Sequence, residues 1–320
     1  MLAVRLIHAC AFSVLISAAL FSQEGPSPVL SSRPVTNPAS AAASSQTPVS
    51  QPQVEYVCPM DRDIRSKTPG FCPRCGMKLV PGIPEMREYQ VTVSTVPHAL
   101  KPAEKAHLTF QVGDPETHKP VSDFEIVHEK LYHLFVISQD LQFFVHEHPQ
   151  PRPDGSFQID LSFPKPGFYR VLNDFYPASG TPQLVSRAVF VPGPDFKLSV
   201  AKLEPDVLPQ RSENLGVELV TEPRDPIAGM QTLMFFRLTP KDGIEPLLGA
   251  MGHMLAASSD LIDMIHDHPT QVLDSDSAPY KQIQFNVIFP RPRVYRVWVQ
   301  FQRQGVVNTV AFNVPVSDLK

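Results

Sequence analysis

The sequence predicts an all-β protein: two tandem β-sandwiches of the immunoglobulin or cupredoxin kind, preceded by a small cysteine-bearing module and a low-complexity linker. Three observations predict this. From Tyr89 onward the apolar residues fall in short runs, YQVTVSTV, AHLTFQV, LYHLFVIS, FQIDLSF and FYRVLNDF, bounded by Pro, Gly or Asp, with the length and period of half-buried strands. Proline supplies 35 of the 320 residues, about twice its usual share of ~5%, and proline is poorly tolerated inside helices and central strands. The chain also repeats itself. HLFVISQDLQFFVHEHP at 133–149 returns as HMLAASSDLIDMIHDHP at 253–269, and FPKPGFYRV at 163–171 as FPRPRVYRV at 289–297.

In chain order, MLAVRLIHACAFSVLISAALFSQ has one early arginine, a short apolar stretch and small residues after it. That is the build of a secretory signal over 1–22; the alternative is a short membrane anchor, for which the run falls short of the ~20 apolar residues a spanning helix needs. An exported protein, periplasmic or secreted and without a membrane span after cleavage, is expected. Residues 23–53 are rich in Pro, Ser, Ala and Thr, cannot bury enough surface to offset their ordering entropy, and are expected to form a disordered tether. A compact module follows at 54–83, then one sandwich over 88–195 and a second over 196–320. The second half repeats the strand recipe with LGVELVTE, MQTLMFFRLTP, HMLAAS, QIQFNVIF, YRVWVQFQ and VVNTVAFNV. The spacing between copies is 120 residues at His133 and His253 but 126 at Phe163 and Phe289, so the second copy carries an insertion around LDSDSAPYK.

A net charge of −4 with no basic run excludes a phosphate-backbone binder, and nucleic acid is not expected as a partner. No serine triad, phosphate-cradling loop or sugar-cleaving carboxylate pair stands out.

Beyond the leader the cysteines are Cys58, Cys72 and Cys75. Three is odd, so they cannot all pair within one chain. CPRCG sets two thiols on a tight turn, and with Cys58 they can close on one soft cation beside the thioethers of Met60 and Met77. The alternative is a Cys72–Cys75 redox or structural pair, for which no thioredoxin-like βαβ context is visible.

In the first histidine segment a hairpin with Ser138 opposite Leu141 puts His133 across from His146, about 4.5–5.5 Å apart at Cβ. His148 then shares their face. The same count joins His253, His266 and His268. Three neutral imidazoles make a site for copper or zinc, and six of the 11 histidines lie in these two triplets. The competing reading makes HxHP a hydrogen-bonded turn motif with Asp140 or Asp260 as partner. A one-residue slip of register separates His133 from the pair. Met251, Met254 and Met264 flank the second triplet, either as soft ligands or as core filler. His107, His118 and His128 read as ordinary surface residues.

The Tyr56, Cys58-Pro59-Met60, Pro69-Gly70, Cys72-Pro73, Cys75-Gly76-Met77 and Leu79-Val80-Pro81 pattern resembles the heavy-metal-binding module found beside copper- and silver-type transport ATPases and on efflux components. In that family a histidine commonly follows CPM; here Asp61 stands there, which leaves the fourth ligand open. The histidine-bearing region resembles uncharacterised exported β-sandwich proteins that pair this module with H-x-x-x-V-S-x-D-L-x-x-F-x-H-x-H-P segments, and the resemblance implies copper-related or general metal handling. The expected function is capture, buffering or delivery of a heavy metal, copper or zinc, in metal tolerance, with an efflux component as partner and no enzymatic activity. The alternatives are a scaffold or adhesion protein with one structural zinc module, or a histidine-based metalloenzyme. That residues 89–320 contain no cysteine argues strongly against a blue-copper centre within the sandwiches.

Overall fold

The computed structural model describes residues 55–57, 64–73, 76, 78–82, 87–178, 180–194, 196–197 and 200–319. The leader, the tether, Cys58, Met60, Cys75 and Met77 lie outside the described residues. Every regular element among the described residues is a strand, and no helix long and apolar enough to cross a membrane is found among them.

In the first repeat the Lys105–Gly113 strand pairs with Gln90–Val96 and with Phe157–Ser162, and Gln150–Pro151 completes that sheet. The facing sheet runs Gln183–Val191, Gly167–Phe175, Tyr132–Ser138, Phe144–Glu147. Alternation sets the layering: Ala106, Leu108, Phe110 and Val112 point inward and are buried, where they meet Leu134, Val136 and Val171 of the opposite sheet. The second repeat packs Gly216–Glu222, Gln231–Thr239 and Lys281–Ile288 against His253–Ser258, Val294–Arg303 and Val306–Pro315 around Phe236, Phe285, Phe301 and Phe312. The insertion falls in the hairpin between Gln271–Asp274 and Lys281–Ile288.

The FPxP-x-x-Y segments are architectural. Tyr169 and Tyr295 are buried, and each hydroxyl donates to the carbonyl four residues upstream, Lys165 at 2.8 Å and Arg291 at 3.1 Å, the arrangement of a tyrosine corner.

The histidine-bearing strands depart from the half-buried expectation. Tyr132–Ser138 and His253–Ser258 are buried at every position. Leu134 and Val136 face their own core, while Phe135 and Ile137 join Leu141 and Leu172 in a separate cluster with Leu255, Ala257, Leu261 and Trp298 of the second repeat. The two sandwiches therefore dock through their histidine sheets. Residues at equivalent places differ in size, Ile137 against Ala257 and Leu172 against Trp298, and Phe144 stacks on Trp298 with ring centres 5.0 Å apart. The interface is therefore only near-symmetric, with a larger residue on one side standing where a smaller one stands on the other. Trp298→Ala is expected to remove roughly 3–5 kcal/mol of this docking. Scanning calorimetry should then resolve two transitions in place of one.

Candidate metal centre

The hairpins carrying the triplets pair two residues away from the predicted register. Phe135, not His133, stands opposite His146, and Leu255 stands opposite His266. The reason is a wider loop. Ser138 Oγ donates to Asp140 at 2.5 Å and accepts from the Phe143 amide at 2.9 Å, while Leu141 adopts a left-handed φ of 59°. Ser258, Asp260, Asp263 and Leu261 (φ 56°) repeat this loop. The strained leucines are both buried in the inter-repeat cluster. The slip is even, so the parity of faces survives and all three histidines still share one side. Asp140 and Asp260 serve the loop and the cations Lys165, Arg291 and Arg293, so they are not the partners of the HxHP histidines. Asp263, where the first repeat has Phe143, pairs with Arg291, where the first repeat has Lys165. That exchange leaves the histidine face untouched.

In the first triplet His133 Nδ1 lies 3.3 Å from His146 Nε2 and 3.1 Å from His148 Nε2. The outer nitrogens are committed elsewhere: His133 Nε2–H donates to the Val127 carbonyl at 3.0 Å, and His146 Nδ1–H to Gln300 Oε1 at 2.7 Å. Each of these rings therefore turns a bare lone pair inward, and only His148 can carry a proton into the triangle. Nitrogens bound at ~2.0–2.1 Å to one tetrahedral ion sit about 3.3 Å apart with ring centres about 5 Å apart. The ring centres here are 5.6, 4.8 and 4.8 Å apart. The geometry fits a metal ion.

The second triplet repeats the design. His253 Nε2–H donates to the Leu247 carbonyl at 2.8 Å, and His268 Nε2 lies 3.0 Å from His253 Nδ1. His266 Nδ1–H is bound tightly to the Asp174 carboxylate, and its Nε2 is buried without a hydrogen-bond partner among the described residues. Ring centres stand 4.8, 4.5 and 6.3 Å apart. Within each triplet the three ligand atoms lie within 4.8 Å of one another.

The triplets also face each other. His146 and His253 have ring centres 5.3 Å apart, and His133 and His266 6.0 Å apart. His128, expected on the surface, instead stacks on His268 with ring centres 3.7 Å apart. That is too close for both rings to bind one tetrahedral ion, so His128 buttresses His268. The signal available in the sequence was its place, five residues ahead of His133 where the second repeat has Leu248. An open pocket of about 280 Å³ lined by His128, Met251 and His268 leads from this side to solvent. Met254 is core and Met264 lies in the inter-repeat cluster. His107 is bonded to Asp160 on the surface and His118 is exposed. Glu147 and Asp267 pair with Leu134 and Met254, on the faces turned away from the triplets.

Burial, reinforced by neighbouring imidazoles, holds these rings neutral: His146 and His268 fall to about 2, His148 to about 3 and His253 to about 4, with His133 and His128 also below their ordinary value. A neutral imidazole is the form that binds metal.

In the cysteine module, Glu55–Val57 pairs with Arg65–Ser66 and with Val80–Gly82. Cys72 is 2% exposed and packs with Leu79, Tyr56 and Ile64. The Gly76 amide closes a turn on the Cys72 carbonyl at 2.9 Å, and its φ of 74° is one that glycine adopts without strain.

Residues 85–192 and 211–318 each match the Domain of unknown function (DUF8832). The chain belongs to that family. Residues 55–81 match the heavy metal binding domain, which supports metal binding by this DUF8832 protein. No curated protein matches it. Among solved structures it is similar to the Escherichia coli adhesin FdeC (14% identity, 74% of this chain and 67% of that one, TM-score 0.24). A titin fragment (13%, 68% and 93%, 0.19) and the Yersinia pseudotuberculosis adhesin InvE (11%, 70% and 58%, 0.21) are similar to the same degree. Scores of this size carry no argument about function.

Proposed function

We propose that this DUF8832 protein is an exported, non-catalytic metal carrier that captures and holds heavy-metal ions, copper before zinc, and passes them to an efflux component of the envelope. The observation that carries the reading is the pair of triplets whose lone pairs converge while the outer N–H groups of His133, His146, His253 and His266 are tied to carbonyl, amide and carboxylate oxygens. The thiols Cys58, Cys72 and Cys75, with Met60 and Met77, are the soft site of the same system, and the signal at 1–22 and tether at 23–53 give it export and reach. A catalytic role is disfavoured because Glu147 and Asp267, the carboxylates nearest in sequence, lie on the wrong faces to serve as a base.

Native mass spectrometry of the reduced protein titrated with Cu(I), Cu(II) and Zn(II) tests this. More than one ion per chain is expected. One ion, lost in Cys72→Ser, would confine metal chemistry to the cysteine module. A second reading, ions as structural staples, is favoured by the burial of His133 and His253 between the sandwiches. It predicts that a chelator removes the histidine-bound ions only as fast as the chain unfolds, whereas a carrier releases them faster.

A further inference from the structure

We infer that the two triplets form a single binuclear centre built across the repeat interface, each repeat binding one ion while a residue of the opposite repeat orients one of its ligands. The inference rests on the metal-binding reading and goes beyond it in making the two ions neighbours of unequal affinity.

The first observation is that one ligand of each triplet is held by a residue of the opposite repeat. Gln300, from the second repeat, accepts the Nδ1 proton of His146 in the first; Asp174, from the first, accepts that of His266 in the second. Asp174 and Gln300 occupy the same place in their repeats, paired with His133 and His253 respectively. An exchange of equivalent contacts across a pseudo-two-fold axis is the signature of an isologous interface. Neither triplet is completely oriented by its own repeat.

The second observation is spacing. Ring centres of His133, His146, His253 and His266 are separated by 5.3–6.3 Å whether the pair lies within a repeat or between repeats. His266 is as near to His133, at 6.0 Å, as to His253 of its own triplet, at 6.3 Å. Its Nε2, buried and without a hydrogen-bond partner among the described residues, is the atom that points to a ligand. All donors are imidazole nitrogens, and within each triplet the ligand atoms lie within 4.8 Å of one another, so the ions are borderline divalent ones, Zn²⁺ or Cu²⁺.

The third observation is the chemical difference between Asp174 and Gln300. A carboxylate behind a ligating imidazole makes the ring a better donor than an amide does, and loss of such a partner typically weakens metal binding about 10–100-fold. The ion at His253, His266 and His268 is therefore the tighter of the two.

The test uses the full mature chain and Zn²⁺ titrated against a chelator, with Cu²⁺ electron paramagnetic resonance as a second readout. Wild type is expected to take two ions of unequal affinity at the sandwiches, with dipolar coupling between the two Cu²⁺ spins. Asp174→Asn should weaken the tighter ion by about 10–100-fold and spare the other. Gln300→Glu should tighten the weaker one, a gain that misfolding cannot mimic. Two uncoupled ions, or an Asp174→Asn variant that weakens both equally or neither, would overturn the binuclear centre while leaving the carrier reading intact. A wild-type chain that takes up no ion beyond that of the cysteine module would overturn both.

Discussion

Replacing His148 and His268 together by alanine is expected to weaken ion binding at the sandwiches by roughly 10²–10³-fold while changing the melting temperature of the metal-free chain by only a few degrees. The asymmetry follows from how these two rings are held. His133 and His253 are anchored to carbonyls, and His146 and His266 to Gln300 and Asp174, so truncating any of those leaves a buried partner unsatisfied. His148 and His268 are half-buried, and their ring nitrogens bond only to the imidazoles of His133 and His253 among the described residues. A four-ligand structural zinc site is worth about 10–16 kcal/mol, hence ~2.5–4 kcal/mol per ligand, which sets the fold-change. Ion at about 1,000 times its dissociation constant stabilises the native state by ~4 kcal/mol, roughly 10 °C for a two-sandwich unit of this size. Differential scanning fluorimetry with and without Zn²⁺ checks both halves: the wild type should shift and the variant should not. A variant that still shifts by the full amount would remove these rings from the ligand set.

The sequence carried more of this arrangement than of its assembly. Period-two alternation, proline frequency and the internal repeat were enough for the all-β class, because strand burial is a local property of which residues face the core. The face shared by His133, His146 and His148 was legible for the same reason, since parity survives an even slip. The register itself was not legible. The choice between a two-residue turn and the wider loop rests on Ser138 Oγ capping two groups and on Leu141 accepting a left-handed φ to reach the inter-repeat cluster. The docking of the sandwiches was written only indirectly, in LYHLFVIS: a run apolar at consecutive positions is buried on both faces, and the second face needed a partner. His128 was missed because its role depends on that partner, as do Asp174 and Gln300, whose significance exists only across the interface.

Acid should unfold the metal-free protein well before it displaces metal from the folded one. Burial lowers His146 to about 2 and His253 to about 4 in the native state, whereas in the unfolded chain they titrate near ~6.5. Below that value the unfolded state binds more protons than the native state, so stability falls as pH falls, with the loss beginning near ~6.5 and continuing down to the native values. Each well-buried histidine contributes a slope of up to about 1.4 kcal/mol per pH unit; His148 and His268, more open to water, contribute less. Denaturant midpoints of the apo protein should therefore decline steeply between pH 6.5 and about 4.5. Ion binding to the native state behaves differently at the first triplet, because burial already holds His133, His146 and His148 below their ordinary value. Affinity of the His133, His146 and His148 site, measured under native conditions, should fall much less between pH 7 and about 5 than that of three exposed histidines, each of which would lose about tenfold per unit to proton competition. A steep fall in affinity starting near pH 6.5 would mean that the apo repeats part and expose their imidazoles, and that the closed interface forms only around the ions.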